Sequence, residues 1–199
     1  MSRSVTPNEY AQLRDFLSRE YGLFFDTSKV TFLENRVLPL IQKFGCSDMN
    51  GLISTIQSDQ ARRIELLDII TTNETWFFRH PRHFDILREE VLPPLLRSRD
   101  RDGQRRISIW SAGCSIGAEA YSIAITILEL LRDPLPWQIS IIGSDISSSA
   151  LERARRGVYT STELRLLSSM LITRYFAPTG SGEFRVKPEL AAMVRFEHL

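Results

Sequence analysis

The sequence predicts an α/β chain: a small all-helical N-terminal domain followed by the first part of a doubly wound domain. Three observations predict it. Residues 1–70 carry apolar stripes at helical spacing only. Residues 107–121, Ile-Ser-Ile-Trp-Ser-Ala-Gly-Cys-Ser-Ile-Gly-Ala-Glu-Ala-Tyr, read as a buried strand, a glycine loop and the start of a helix. A second apolar strand, 139–144, then delivers Asp145 at its end. A strand–loop–helix–strand–acid unit can build a nucleotide pocket. The glycines let a ligand approach the backbone, and the acid can accept hydrogen bonds from ribose hydroxyls. An adenosine-containing cofactor is the expected ligand.

The helical domain justifies itself element by element. Thr6-Pro-Asn-Glu9 is a capping box with Pro7 at the first helical position, and Tyr10, Leu13, Phe16, Leu17 and Tyr21 form the stripe that follows, up to Gly22. Val30, Leu33, Val37, Leu38 and Ile41 make a second stripe, closed near Gly45. Leu52, Ile53 and Ile56 suggest a short third helix. Asp59 suits the cap of a fourth, with Ile64, Leu67 and Ile70 on one face. Four helices joined by short turns form a bundle.

Residues 71–80, Thr-Thr-Asn-Glu-Thr-Trp-Phe-Phe-Arg-His, break that pattern, and Pro81 can open the next helix. That helix carries Phe84, Leu87 and Val91 and is expected to end near Pro93-Pro94, with 98–106 a charged linker. Strands 107–111 and 139–144 are short apolar runs of the kind covered on both faces of a parallel sheet. A helix with Tyr121, Ile123, Ala124, Ile127, Leu128 and Leu131 joins them. A helix over 148–156 ends at Gly157. Residues 158–180 read as helical and then irregular, 183–187 as extended and 194–196 as a strand. The domains are therefore expected as 1–70 helical, 71–106 linker segment and connecting helix, and 107–199 cofactor-binding. With about three strands visible where such a sheet needs roughly five, the last domain is expected to be incomplete.

Composition narrows the function. A net charge of +1 among 199 residues gives no global basic field for nucleic acid. Two cysteines, Cys46 and Cys114, lack metal-ligand spacing and suggest a reducing compartment. There is no signal-peptide pattern and no apolar run of about 18 residues, so a cytoplasmic location without membrane insertion is the default expectation. The glycine spacing, Gly113-x-x-x-Gly117, disfavours a nicotinamide dinucleotide.

Three motifs in register, Thr71–Arg79, Trp110–Ser122 and Gly143–Ser147, resemble those of the CheR-type chemoreceptor glutamate methyltransferases. The fit extends to 154–159 and 194–199. The resemblance implies a Rossmann-like doubly wound methyltransferase domain behind the helical one, with S-adenosylmethionine as donor, S-adenosylhomocysteine as product, and chemoreceptor cytoplasmic helices as substrate. It implies cofactor contact by Asn73, Thr75, Arg79, Glu119 and Asp145. Arg79, which can fork onto a carboxylate of the cofactor or of the substrate, is also the candidate catalytic residue. Gly113 and Gly117 complete the cofactor-binding set, and no metal ligand is expected. Ile116 replaces a small hydroxyl residue of the family pattern and Ala118 an acid. Further strands, and in some members a small β subdomain that docks a receptor tail, are expected past residue 199.

Each residue also has a plainer reading. The glycines can be a tight turn, Asp145 a helix cap, and Glu119 a favourable charge in a first helical turn. Trp76, Phe77 and Phe78 are expected to pack between the domains. His80, His83 and His198 lack ligand-like partners, and Arg62 and Arg63 suit either an acidic receptor helix or a solvated face. Rival functions are a catalytically inactive cofactor- or partner-binding module of the family, and a small-molecule or RNA methyltransferase on the same fold.

Overall fold

The computed structural model describes residues 4–131, 134 and 136–199. The chain divides into two compact units, Met1–Thr72 and Asn73–Leu199.

The first unit is four helices: α1 (Pro7–Tyr21), α2 (Val30–Lys43), α3 (Met49–Ser58) and α4 (Gln60–Ile70). The capping box forms as the sequence dictates. The Thr6 hydroxyl accepts from Glu9 N, and the Glu9 carboxylate accepts from Thr6 N at 3.0 Å, an arrangement that stabilises a helix start by about 1 kcal/mol. The Asp48 and Asp59 carboxylates cap α3 and α4 by accepting from backbone N–H groups of the first turn. The core is Tyr10, Leu13, Phe16 and Leu17 of α1, Leu33, Val37, Leu40 and Ile41 of α2, Met49, Leu52 and Ile56 of α3, and Leu66, Leu67 and Ile70 of α4. Leu40 and Leu66 are buried where the periodicity put Leu38 and Ile64; those two are half-buried. Arg63, expected on a solvated or partner-facing surface, donates to the Ile56 and Gln57 carbonyls at the end of α3.

The second unit opens with the segment 73–80, then α5 (Pro81–Ile86), a π-helical turn (Leu87–Val91) and α6 (Leu92–Arg101). The helix does not end at Pro93-Pro94. Neither proline has an N–H to give the carbonyls four residues back, so the helix widens by one residue just before them, Leu92 N bonding Leu87 O, and then continues. The expected charged linker is thus helical to Arg101.

Strands β1 (Arg106–Ala112), β2 (Gln138–Asp145) and β6 (Val194–His198) form a parallel sheet in the order β1-β2-β6. Helices α7 (Ala118–Leu130) and α8 (Ser148–Arg156) follow β1 and β2. Trp110 pairs with Ile142 and Asp145 with His198. Helix α7 buries every residue from Ala120 to Ile127. Strand β1 is not covered on both faces as expected, whereas β2 is buried or half-buried from Ile141 to Asp145. Ser108, Trp110 and Ala112 of the edge strand β1 are exposed, Trp110 by 65%.

Residues 158–180 correct the reading of a helical, then irregular stretch, and the segment 183–187, read as extended, holds a strand. β3 (Val158–Thr160), α9 (Ser169–Tyr175), β4 (Phe176–Pro178) and β5 (Glu183–Val186) alternate, and the three strands pair antiparallel in the order β3-β5-β4. A small β subdomain was expected only past residue 199; this small sheet lies within the chain. The short helix α10 (Pro188–Ala191) leads into β6. Phe77 lies fully buried with its ring edge-on to Tyr159 at 4.8 Å and to Phe176 at 5.3 Å. It therefore packs in the core of the second unit, where each such aromatic pair adds about 0.5–1.5 kcal/mol beyond area burial.

Candidate cofactor site

The site is built where β1 and β2 end. After Ala112 the backbone turns at Gly113 (φ +70°), and the N–H groups of Gly113 and Cys114 both donate to Ser144 O, at 2.8 and 2.9 Å. This hooks the loop onto the last residues of β2. A Cβ at Gly113 would meet open space. Gly117 (φ +83°) starts α7, and there a Cβ would stand 2.7 Å from the Phe196 ring and 3.0 Å from Ala154 Cβ. Packing demands glycine at 117; open space and a left-handed turn characterise 113.

Asp145 is 7% exposed. One carboxylate oxygen accepts from Ser115 N at 2.7 Å and the other from Ser147 N at 2.9 Å. The helix cap that sequence reasoning allowed to Asp145 belongs instead to Ser147, whose hydroxyl accepts from Ala150 N. Two N–H groups use one lone pair on each Asp145 oxygen, so each keeps a second acceptor position.

The segment 73–79 is anchored at both ends. The Asn73 amide donates to Ser147 Oγ at 3.1 Å, and the Ser115 hydroxyl donates to Asn73 O and Oδ1. Phe77 N donates to Glu163 O, and Phe78 N to Ser122 Oγ. Phe78 (φ +55°) and Ser115 (φ +50°) are the non-glycine residues in the left-handed region among those described, and such strain gathers at functional sites. Arg79 is exposed, donates one bond to Glu74 O at 2.7 Å and lies 4.9 Å from the centre of the Trp76 ring. Arg165 stacks on the same ring at 3.7 Å. The Thr75 hydroxyl is half-buried and makes no hydrogen bond among the described residues. Glu119, exposed in the first turn of α7, accepts from the buried Ser111 hydroxyl at 2.6 Å.

The structure thus joins Asn73 and Asp145 directly through Ser115 and Ser147. Glu119 is tied to β1, and Thr75 and Arg79 share the anchored segment without a hydrogen bond to the loop. Ile116 and Ala118 have their side chains buried in the core, and Ile116 O accepts from the Tyr159 hydroxyl at 2.7 Å. Sequence reasoning missed Ser111, Ser115, Ser122, Ser144 and Ser147. Their small hydroxyls inside the motifs were the available signal, but their partners lie up to 74 residues away.

Cys114 lies under the loop, 2% exposed. Burial, and then the negative charge of Asp145, push its thiol up to about 12. It stays protonated and unreactive at neutral pH.

A parallel sheet whose first strand enters a glycine hook and whose second ends in a clamped acid defines a nucleotide-cofactor-binding α/β protein. Comparison with known proteins makes this specific. Residues 73–199 match the CheR methyltransferase SAM-binding domain, and residues 8–71 match the CheR methyltransferase all-alpha domain. A chemotaxis protein methyltransferase of Vibrio parahaemolyticus is 36% identical over 97% of this chain and 70% of its own length. One from Borreliella burgdorferi is 32% identical over 98% and 70%, and chemotaxis protein methyltransferase 1 of Pseudomonas aeruginosa 32% over 98% and 72%. The chain belongs to the CheR methyltransferase family and takes S-adenosylmethionine as its cofactor.

Proposed function

We propose that this chain methylates glutamate side chains on the cytoplasmic helices of bacterial chemoreceptors, and that it does so in the cytoplasm. Among its described residues no helix is long and apolar enough to cross a membrane. The observation that carries the site assignment is Asp145: a buried carboxylate held by two backbone N–H groups at the mouth of a glycine hook.

The residues fit the cofactor. Gly113 opens onto free space. Asp145 keeps acceptor positions for the ribose hydroxyls. Glu119 puts a negative charge within reach of the glycine loop for the ammonium group, and Arg79 supplies a guanidinium for a carboxylate. Asn73 and Thr75 belong to the same set: Asn73 sets the position of the segment through Ser115 and Ser147, and Thr75 offers an unengaged hydroxyl. Gly117 serves the loop by admitting Phe196 rather than by admitting ligand.

When bound, S-adenosylmethionine supplies a sulfonium-activated methyl group. A glutamate side chain, with a reference pKa of about 4.3, is already ionised at neutral pH. The chain's own task is therefore to orient the carboxylate and exclude water, which can supply most of the acceleration. Arg79, stacked beside Trp76 and held by Glu74 O, is the group assigned to hold that carboxylate or the cofactor's.

The test is to incubate the chain with methyl-labelled S-adenosylmethionine and a chemoreceptor cytoplasmic fragment. The expected result is base-labile label on receptor glutamates, reduced at least tenfold by Arg79→Ala. Label on RNA or small molecules, with none on the receptor, would overturn the substrate assignment.

A further inference from the structure

Four residues of the site close into a hydrogen-bonded ring. Ser115 Oγ donates to Asn73 O at 3.2 Å and Oδ1 at 3.3 Å, Asn73 Nδ2 donates to Ser147 Oγ at 3.1 Å, Ser147 N donates to one Asp145 oxygen, and Ser115 N donates to the other. The ring joins three pieces of chain: the segment that carries Thr75 and Arg79, the glycine loop, and the end of β2.

Within this ring Ser115 stands in an unfavourable conformation. At φ +50° a side chain is strained where glycine would not be. The loop already uses glycine at 113 and 117. A serine between them carries a conformational cost that a third glycine would avoid, and its two hydroxyl contacts with Asn73 are the interaction that offsets it. Those contacts span 42 positions of sequence, so they do not stabilise the turn locally. They fix the segment 73–79 against the loop.

We propose that Ser115 is a positioning residue of the cofactor site: its hydroxyl locks the Asn73–Arg79 segment to the glycine loop, presetting Thr75 and Arg79 relative to Asp145. This rests on the cofactor site proposed above. Ser115 itself is not a catalytic residue; it acts through Asn73.

Two substitutions separate the hydroxyl from the backbone. Ser115→Ala removes the hydroxyl and keeps the strain. Ser115→Gly removes both, so it should fold at least as well as the parent chain. Each variant is titrated calorimetrically with S-adenosylhomocysteine, and amide hydrogen exchange of residues 73–79 is followed with no cofactor added. Both variants are expected to bind five- to twentyfold more weakly and to exchange faster at 73–79. In methylation assays the KM for S-adenosylmethionine is expected to rise by a similar factor. Adding Asn73→Ala to either variant should weaken binding no further than the larger single effect. Unchanged affinity in Ser115→Gly, or affinity lost in the alanine variant and restored by glycine, overturns the proposal. If the parent chain binds no S-adenosylhomocysteine at all, the underlying site reading fails instead, while the hydrogen-exchange comparison still decides whether the hydroxyl locks the segment.

Discussion

At the scale of single residues, the geometry assigns Asp145 two tasks. Its carboxylate organises the loop through Ser115 N and Ser147 N, and its remaining acceptor positions are the ones proposed for the ribose hydroxyls. Asp145→Ala should therefore weaken S-adenosylhomocysteine binding at least tenfold and also destabilise the fold by about 2 kcal/mol, because a charged acceptor of two backbone bonds is lost. Binding by calorimetry and denaturant unfolding measure the two effects separately. Cys114 gives a pH prediction. Its folded-state pKa is raised by burial from 9.0 to about 12. Below pH 9 both states hold the proton and the stability is fully present; it is lost as pH rises from 9 toward 12, since only the unfolded chain ionises freely. Thermal unfolding should weaken over pH 9–10.5, less steeply in Cys114→Ala, and native alkylation at pH 8 should label Cys46 and spare the buried Cys114. At this scale the acid, the glycines and the arginine could be singled out as candidates from the sequence, because their residue types advertise their chemistry. Ser115 and Ser147 could not. A serine carries no such signal until the fold brings Asn73 beside it.

At the scale of elements, what is local in the sequence was legible and what is paired at a distance was not. The capping box of α1 needs only Thr6, Pro7 and Glu9, and it forms as read. The strands of three and four residues in the small antiparallel sheet become strands only by pairing, Tyr159 with Phe184 and Phe176 with Val186. The two three-residue strands, too short to show an alternation, were read as helical or irregular, whereas β5 falls in the segment 183–187 read as extended. The persistence of the helix through Pro93 and Pro94 likewise depends on a π-helical turn that composition does not announce. The junction of loop and helix α7 is the place to test packing. Gly117→Ala adds a Cβ that meets the Phe196 ring at 2.7 Å, at a backbone angle of φ +83°. It should cost about 1–3 kcal/mol in unfolding free energy. A variant as stable as the parent would show that Phe196 yields more readily than its place against Gly143 and Tyr121 suggests.

At the scale of the molecule, every residue assigned to the cofactor lies in the unit Asn73–Leu199, which is also the span of the family's SAM-binding domain. The two-part organisation was legible because helical periodicity ends near residue 70 and the motifs begin just after it. The coverage of the sheet was not, since an apolar run does not tell which of its faces a helix will cover. Removing residues 1–72 should leave affinity for S-adenosylhomocysteine within about threefold by titration, an upper bound of roughly 0.7 kcal/mol. The measurement that bears most directly on the central claim is calorimetric titration of the 199-residue chain with S-adenosylhomocysteine, run beside Asp145→Ala and with NAD as control. Micromolar binding by the parent chain, at least tenfold weaker in the variant and absent for NAD, is the expected result. Equal affinity in parent and variant, both folded, would contradict the assignment of the glycine hook and its clamped acid as the cofactor site.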